Sequence, residues 1–543
     1  MSSPIRSICF KVLGSTRAVG LWVGVCFVAG PMVEGTASNR PNIVFILADD
    51  LGYSDLGCYG GEIATPHLDQ LAENGLRYTQ FYNTGRCWPT RASLLSGYYA
   101  QSINRDLVGP DDPDSRSDRP VWARLLPEWL REVGYRNYQS GKWHMDGDVL
   151  VTGFDRSDRT ENGHSYFKPT GTFNNDMALV DMTPPEGYYK TTAIADFAID
   201  TLKEHAEEFP DQPFFHYICF LAPHHPLHAL PEDIEKYKDR YQRGWDELRP
   251  ERHQRLKALG IVDDSLSPIE RDLGPRNYVA EAMEQLGPDE VAYPLPWSSL
   301  TDAQQAFQAR KMAIHAAMVD RMDHEIGRIL EQLKRMGVFD NTLIFFASDN
   351  GASSELNTRG KHDSTAEMGS VDTYLSLGPG FSTFSNTPFR KHKSYTHEGG
   401  IATPLIVHWP EGISARGELR RAPTHIIDVV PTVMDILGTN KPTHYEGLTL
   451  PEIPGISFVD TFAEEVSLPR ENLWWYHEGH RAIRVGDWKL VASGDGLWEL
   501  YDLAEDRTET TDLATRFPER VEALAAAWRQ ELGKMIQKRK VSR

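Results

Sequence analysis

The chain is poor in cysteine, in positive charge and in long apolar runs, and each shortage removes a class of protein. Its 543 residues hold five cysteines. Cys9 and Cys26 fall in an N-terminal leader, which leaves Cys58, Cys87 and Cys219, too few for a disulfide framework at this size. No Cys or His cluster has zinc-binding spacing. Lys and Arg number 57 against 77 Asp and Glu, a formal net charge of −20. That balance argues against nucleic-acid binding, which needs clustered basic residues. An anionic substrate must then be drawn by a local basic site and not by the field of the whole protein. Beyond the leader no segment is long and apolar enough to span a bilayer, so no stable membrane association is expected. There is no internal repeat and no low-complexity tract. What remains is an ordinary globular composition, 40% hydrophobic and 25% charged, long enough for one large core and a smaller second one.

The leader reads as a secretory signal. Arg6, Lys11 and Arg17 form a basic region, residues 18–33 are apolar but short and Gly-rich, and Gly35-Thr36-Ala37 offers small residues for cleavage. The expected location is secreted or periplasmic, with an uncleaved N-terminal anchor as the alternative. The expected division is a signal peptide at 1–37, a catalytic domain at 38–464 and a C-terminal α+β subdomain at 465–543.

Apolar runs alternate with amphipathic ones. NIVFILA (42–48), PFFHYICFLA (213–222), TLIFFAS (342–348) and PLIVHW (404–409) read as buried strands. TPHLDQLAENG (65–75) reads as a helix with Thr65 as N-cap, Pro66 at its first position and Gly75 as its stop. PTRASLLS (89–96) reads as a short helix closed by Gly97, and residues 301–336 as a long amphipathic one. Strands alternating with helices predict an α/β fold, a large mostly parallel sheet sandwiched by helices. Residues 231–299 are polar and Pro-rich and read as a long excursion. After about residue 465 short antiparallel strands and a last helix predict the small subdomain.

In such folds the active site lies beyond the carboxyl ends of the strands. Asp49-Asp50 directly follows one buried strand and Asp349-Asn350 another. One such pair could simply cap a helix. Two pairs together supply the oxygen-rich set that hard divalent cations prefer. Cys87 precedes Pro89 at the predicted helix start, near backbone N–H groups and a helix dipole that suit anions, with Arg91 one turn on. By chemistry alone Cys87 is an activated thiolate, part of an anion site or a buried structural cysteine, and a pairing with Cys58 is also open. Cys219 reads as core.

The run Cys87-Trp88-Pro89-Thr90-Arg91-Ala92-Ser93-Leu94-Leu95-Ser96-Gly97 resembles the signature of the formylglycine-dependent sulfatases of the alkaline phosphatase superfamily. PNIVFILADDLGYSDLGCYG (41–60), Gly141-Lys142-Trp143-His144, Ala222-Pro223-His224-His225-Pro226, SDNG (348–351), FRKHKSYTHEGG (389–400) and LWELYDLAEDRTETTDL (497–513) are similar to further motifs of that family, in family order. The resemblance runs from about residue 41 to the end. Departures are modest: Met145-Asp146 where Leu-Gly is common, and a bulky Trp88 at the variable signature position.

The resemblance implies a sulfuric ester hydrolase of arylsulfatase type. Cys87 would be oxidised to formylglycine by a formylglycine-generating enzyme, and its hydrate would attack sulfur to give a sulfated enzyme. Arg91 would hold residue 87, Lys142 would bind it or the sulfate, and His144 would be the base that releases sulfate. His224 would protonate the leaving oxygen and Lys393 would bind sulfate. Ca2+ would be held by Asp49, Asp50, Asp349 and Asn350 together with the modified Cys87. The implied substrate is a sulfated small molecule or carbohydrate. Residues 231–299 resemble the bacterial arylsulfatase subgroup, which points to aryl sulfates at least as model substrates. The alternatives are a phosphonate or phosphodiester hydrolase of the same superfamily and a non-catalytic binder of sulfated glycans. The former often brings Asp-His where this chain has Asp349-Asn350; the latter requires a lost catalytic residue, and none is lost.

Overall fold

Three of the apolar runs are buried along their whole length and pair side by side. The computed structural model describes residues 40–108, 117–160, 165–169, 172–173, 179–180, 184–275, 280–359, 362–439 and 443–540. The expected signal peptide, 1–37, lies outside them. Eight strands form the main sheet: β1 (Asn42–Asp49), β2 (Leu76–Tyr78), β3 (Arg136–Gly141), β4 (Arg156–Ser157), β5 (Phe214–Pro223), β6 (Thr342–Ser348), β7 (Leu405–His408) and β8 (Glu418–Arg420). Their order is β8-β2-β7-β6-β1-β5-β3-β4. Only β7 runs antiparallel to its neighbours; the remaining pairs are parallel. The sheet is therefore mostly parallel, as predicted.

Strand alternation assigns each face a layer. Val44, Ile46 and Ala48 of β1 pack into one core with the helices α3 (Lys190–Glu208) and α4 (Asp302–Arg335). Ile43, Phe45 and Leu47 pack into the other with Leu94 and Leu95 of α2 (Cys87–Ser96). Sheet residues buried on both sides explain why these runs are apolar without alternation. The long helix α4 is set by a capping box, in which the Thr301 side chain and Gln304 exchange bonds with each other's backbone. The helix α1 (Pro66–Glu73) starts where predicted and is capped by Asn74, directly before the expected glycine stop, Gly75.

Residues 231–299 are more ordered than their composition suggests. They contain helices at Pro231–Glu235, Gly244–Ala258 and Ala280–Leu286. Trp245 sits edge-on to Phe381 at 5.3 Å, and the buried Arg252 bridges Asp55 at 2.9 Å and Glu62 at 2.7 Å. After the main sheet comes an antiparallel one, β9 (Leu473–His477), β10 (His480–Val485), β11 (Trp488–Ala492) and β12 (Glu499–Asp502). The last helix, α5 (Pro518–Lys540), covers it, with Trp528 stacked on Trp474 at 5.6 Å.

One detail differs from the sequence reading, and one alternative that it left open is closed. The helix α2 begins at Cys87 and not at Pro89, so Cys87 lies in the first turn. Cys58, Cys87 and Cys219 are all buried free thiols, so Cys58 and Cys87 are not paired. Among the described residues no helix is long and apolar enough to cross a membrane.

Candidate active site

Register brings the two acidic pairs together. The strands β1 and β6 pair without slip from Asn42–Thr342 to Ala48–Ser348, so both chains leave the sheet at one level. The Asp349 amide donates to the Ala48 carbonyl at 3.1 Å. Asp50 turns immediately with φ 66°, a left-handed conformation that Asp tolerates better than most residues. Asn350 donates its amide nitrogen to Asp50 Oδ1 at 2.7 Å and to the Gly351 carbonyl at 3.0 Å. Flipping that amide would set oxygen against carboxylate, so the nitrogen position is fixed by the network.

Three buried oxygens are left without a hydrogen-bond donor: Asp49 Oδ1, Asp50 Oδ2 and Asn350 Oδ1. Each such group costs about 1–3 kcal/mol when nothing answers it. Two carboxylates and an amide oxygen form a hard donor set, which a dication such as Ca2+ fits. Asp49, Cys87 and Asp349 also each bring a ligand-capable atom within 4.8 Å of the others. The donor set therefore suits a metal ion, with residue 87 at its edge.

Basic side chains close around this centre. Arg91 follows Cys87 by one turn on the same helical face. Its Nε and Nη2 donate to Asp349 Oδ2 at 3.1 and 2.7 Å, and its Nη1 to the Lys142 carbonyl at 2.9 Å. Lys142 leaves β3 directly after Gly141, where a Cβ would fall 1.9 Å from the Cys219 carbonyl oxygen, so only glycine fits there. The Lys142 ammonium bonds Asp49 Oδ2. Lys393 Nζ lies 2.6 Å from Asp50 Oδ1 and 3.7 Å from Glu355 Oε2. Burial pushes the Asp49 carboxyl up, but Lys142, His224, Arg91 and Lys393 together hold it well below the usual range. Burial and the adjacent Asp49 push Asp349 the other way, against Arg91. Four acids (Asp49, Asp50, Asp349, Glu355) meet four bases (Arg86, Arg91, Lys142, Lys393). A dication would tip this balance positive, which would attract an anionic substrate to an acidic protein.

Two histidines face the same space. His224 follows β5, whose Pro223 pairs with Asp49. Its Nδ1 donates to the His225 carbonyl at 2.6 Å, which turns Nε2 toward Asp50 Oδ2 at 3.7 Å. Burial and the Lys393 charge push it down to about 3. His144 also adopts a left-handed conformation, φ 53°. Burial, Lys142 and Arg91 drive it well below its usual value. A bound anion would raise both by offsetting these cations.

All ten sequence-predicted residues thus meet in one cluster: Asp49, Asp50, Cys87, Arg91, Lys142, His144, His224, Asp349, Asn350 and Lys393. His228 does not join it; its Nε2 meets the Thr373 carbonyl at 2.7 Å and its Nδ1 the Tyr166 amide at 3.3 Å. Sequence reasoning missed Glu355 and Arg86. Arg86 Nη1 donates to Glu355 Oε1 at 2.9 Å and to Ser394 Oγ at 3.0 Å, so Glu355 links the residue before Cys87 to Lys393. An acid in the loop after the SDNG strand end was the only available signal. Trp88, at the variable signature position, lies edge-on to His144 at 5.9 Å and to His477 of β9 at 5.4 Å. His477 Nδ1 in turn meets Asp106 Oδ2 at 2.9 Å. The C-terminal sheet thereby reaches the signature helix, a contact that nothing local could announce.

Known proteins align with this arrangement along most of the chain. The family model described as Sulfatase matches residues 41–439, and that described as N-sulphoglucosamine sulphohydrolase, C-terminal, matches residues 389–538. An uncharacterized sulfatase of Schizosaccharomyces pombe is 31% identical over 539 residues, covering 90% of this chain and 93% of its own. An arylsulfatase of Klebsiella aerogenes is 31% identical over 438 residues, covering 74% and 87%. The crystal structure of Ps i-CgsB in complex with k-i-k-neocarrahexaose superposes with a TM-score of 0.62 at 23% identity, covering 91% of this chain and 93% of that one. At that identity the likeness is one of fold.

Proposed function

The chain belongs to the sulfatase family of sulfuric ester hydrolases, and on that premise we propose that it cleaves sulfate esters with a formylglycine at position 87 beside a calcium ion. The observation that carries the reading is the set of three donorless oxygens at two adjacent strand ends, ringed by cations and edged by Cys87. Asp49, Asp50, Asp349 and Asn350, with residue 87, would hold the metal, which supplies a Lewis acid to polarise sulfate oxygens. Residue 87, once converted to formylglycine and hydrated, would supply one hydroxyl to attack sulfur and a second whose deprotonation would drive sulfate out.

The chain's own residues then divide the remaining work. Lys393, Lys142 and the His224 ring bind the sulfate oxygens, and the two ammonium groups offset charge that grows in the transition state. Arg91, anchored on Asp349, orients residue 87. His224 Nε2 gives its proton to the leaving oxygen once the bound anion has raised its basicity. His144 takes the proton from the hydroxyl of residue 87.

For the substrate, the Klebsiella relative named arylsulfatase supports aryl sulfates as turnover probes. The C-terminal family match described for an N-sulphoglucosamine sulphohydrolase supports a sulfated carbohydrate as the natural class. In this reading residues 1–37 are removed on export to the periplasm or outside, 38–464 carry the chemistry and 465–543 buttress it. A formylglycine-generating enzyme acts on Cys87 beforehand.

The test is mass spectrometry of the Cys87 peptide from protein matured with such an enzyme, together with aryl sulfate turnover before and after chelation. Formylglycine with calcium-dependent sulfate release is expected. The aldehyde without sulfate release would turn the reading toward phosphonate or phosphodiester hydrolysis. An unmodified Cys87 under those conditions would leave a sulfated-glycan binder.

A further inference from the structure

A second donor set adjoins the oxygen site, shares Asp50 with it and differs from it in kind. Asp50, His224, His225 and Glu355 each bring one ligand-capable atom within 4.8 Å of the others. Two imidazoles and two carboxylates are the mixture preferred by borderline transition-metal dications, whereas the neighbouring set is all oxygen.

Three features show that these side chains are prepared for a ligand. The Nδ1 of His224 is committed to the His225 carbonyl at 2.6 Å. That is the outer contact that fixes a metal-binding histidine with its other nitrogen forward. His225 is buried at 6% exposure, and its Nε2 has no hydrogen-bond partner. Asp50 Oδ2 is likewise buried and without a donor. His205, a core histidine away from the cluster, is satisfied at both nitrogens by contrast: Nδ1 meets the Tyr138 hydroxyl at 2.8 Å and Nε2 the Gln212 carbonyl at 3.0 Å.

One cation already answers part of the set. Lys393 Nζ stands 2.6 Å from Asp50 Oδ1 and 3.7 Å from Glu355 Oε2. A dication entering here must displace that ammonium. We infer that Asp50, His224, His225 and Glu355 form a second metal site, selective for a Zn2+-class ion, in competition with Lys393. Its occupation ties up His224 and Lys393 together and so blocks turnover. The blocking step rests on the sulfatase reading, but the binding does not.

The test uses Co2+, whose visible absorption reports nitrogen-containing coordination, titrated into protein already saturated with Ca2+. One Co2+ per chain is expected to bind and to stay bound in excess Ca2+. The substitution His225→Gln should weaken Co2+ by about tenfold or more. Lys393→Met should strengthen it, because the competing charge is gone. Retention of the calcium-dependent rise in melting temperature reports that each variant is folded. Loss of the absorption in excess Ca2+, or a His225→Gln protein that titrates like the parent, would overturn the site. Co2+ that saturates without reducing aryl sulfate turnover would remove the block. A failure of the sulfatase reading leaves the absorption titration unchanged, so the two failures are separable.

Discussion

Two clusters of buried charge flank the loop that carries Lys393, and they differ in whether they are complete. At the junction with the C-terminal sheet, Glu398 and Glu509 meet Lys489 and Arg507. Lys489 lies 2.8 Å from Glu398 Oε1 and 2.8 Å from Glu509 Oε1. Glu398 Oε2 receives Arg507 Nε at 3.2 Å and the Tyr82 hydroxyl at 2.9 Å. Glu509 Oε2 receives the Glu398 amide at 2.9 Å. Every carboxylate oxygen there has a cation or a hydrogen-bond donor within 3.2 Å; Glu509 Oε1 is answered by the Lys489 charge alone, without hydrogen-bond geometry. In the other cluster Asp49, Asp50 and Asn350 each keep one oxygen with no donor. Burial of charge is common to both, so burial does not mark a site. The difference is that one network is closed by the protein itself and the other needs something from outside.

The comparison breaks most sharply at residue 87. In the proposed mechanism Cys87 is the precursor of the nucleophile, so on replacing it by Ala sulfate ester turnover should fall by a factor on the order of 10^5 or more. Stability should barely change, because one small buried side chain replaces another. Removing the proposed metal comes next. Chelation should lower turnover by roughly 10^2–10^4, the several kcal/mol a Lewis acid contributes. Calcium at about a hundred times its dissociation constant should restore about 3 kcal/mol of stability. Calorimetry with and without chelator reads both. Unchanged melting on chelation would mean that the open cluster is closed by some means other than a cation.

The closed cluster should answer in the opposite way. Lys489→Met leaves two buried glutamates facing each other with one counter-ion fewer. Breaking a buried pair in this manner costs about 3–5 kcal/mol. The C-terminal sheet should loosen in hydrogen exchange, while the Cys87 peptide still converts to formylglycine. If turnover instead fell as far as on chelation, with the fold intact, the two clusters would be one functional unit.

How much of this was legible depends on the reach of each signal. The strands β1, β5 and β6 were visible because a strand buried on both faces must be apolar throughout. The acidic pairs were visible because they stand at the ends of those strands. Cys87, Lys142, His144, His224 and Lys393 came from resemblance, since nothing in periodicity could assign them to one point in space. Glu355 was not legible: its importance depends on Arg86 and Lys393, 269 and 38 positions away. The Trp88–His477 contact was hidden for the same reason. The start of α2 was misread by two residues because Pro89 fits the first turn anywhere, and the structure puts Cys87 and Trp88 into the turn ahead of it. The order within residues 231–299 was hidden because its helices are held by long-range partners such as Asp55 and Phe381.

A buried carboxylate outside both clusters sharpens the comparison further, because no cation pairs with it. Asp323 of α4 accepts only the backbone amides of Leu68 at 2.8 Å and His67 at 3.1 Å. Burial outweighs those bonds, and with Asp69 and Asp320 nearby it pushes the Asp323 carboxyl up to about 7. In the unfolded chain an Asp titrates near 4. Between those values the folded protein binds the extra proton. The contribution is therefore fully present below about pH 4 and is lost as pH rises through about 7, with a slope of about 1.4 kcal/mol per pH unit between. Glu398 runs the other way: burial pushes it up, but Lys489 and Arg507 hold it below its usual value, so its contribution is lost as pH falls. Asp323→Asn should remove the first dependence and leave the second. In denaturant titrations from pH 4 to 7, the parent's stability minus the variant's should decline as pH rises. A flat difference would mean that the two amides of α1 alone keep Asp323 ionised, and that a buried carboxylate in this protein can do without a cation when a helix start faces it.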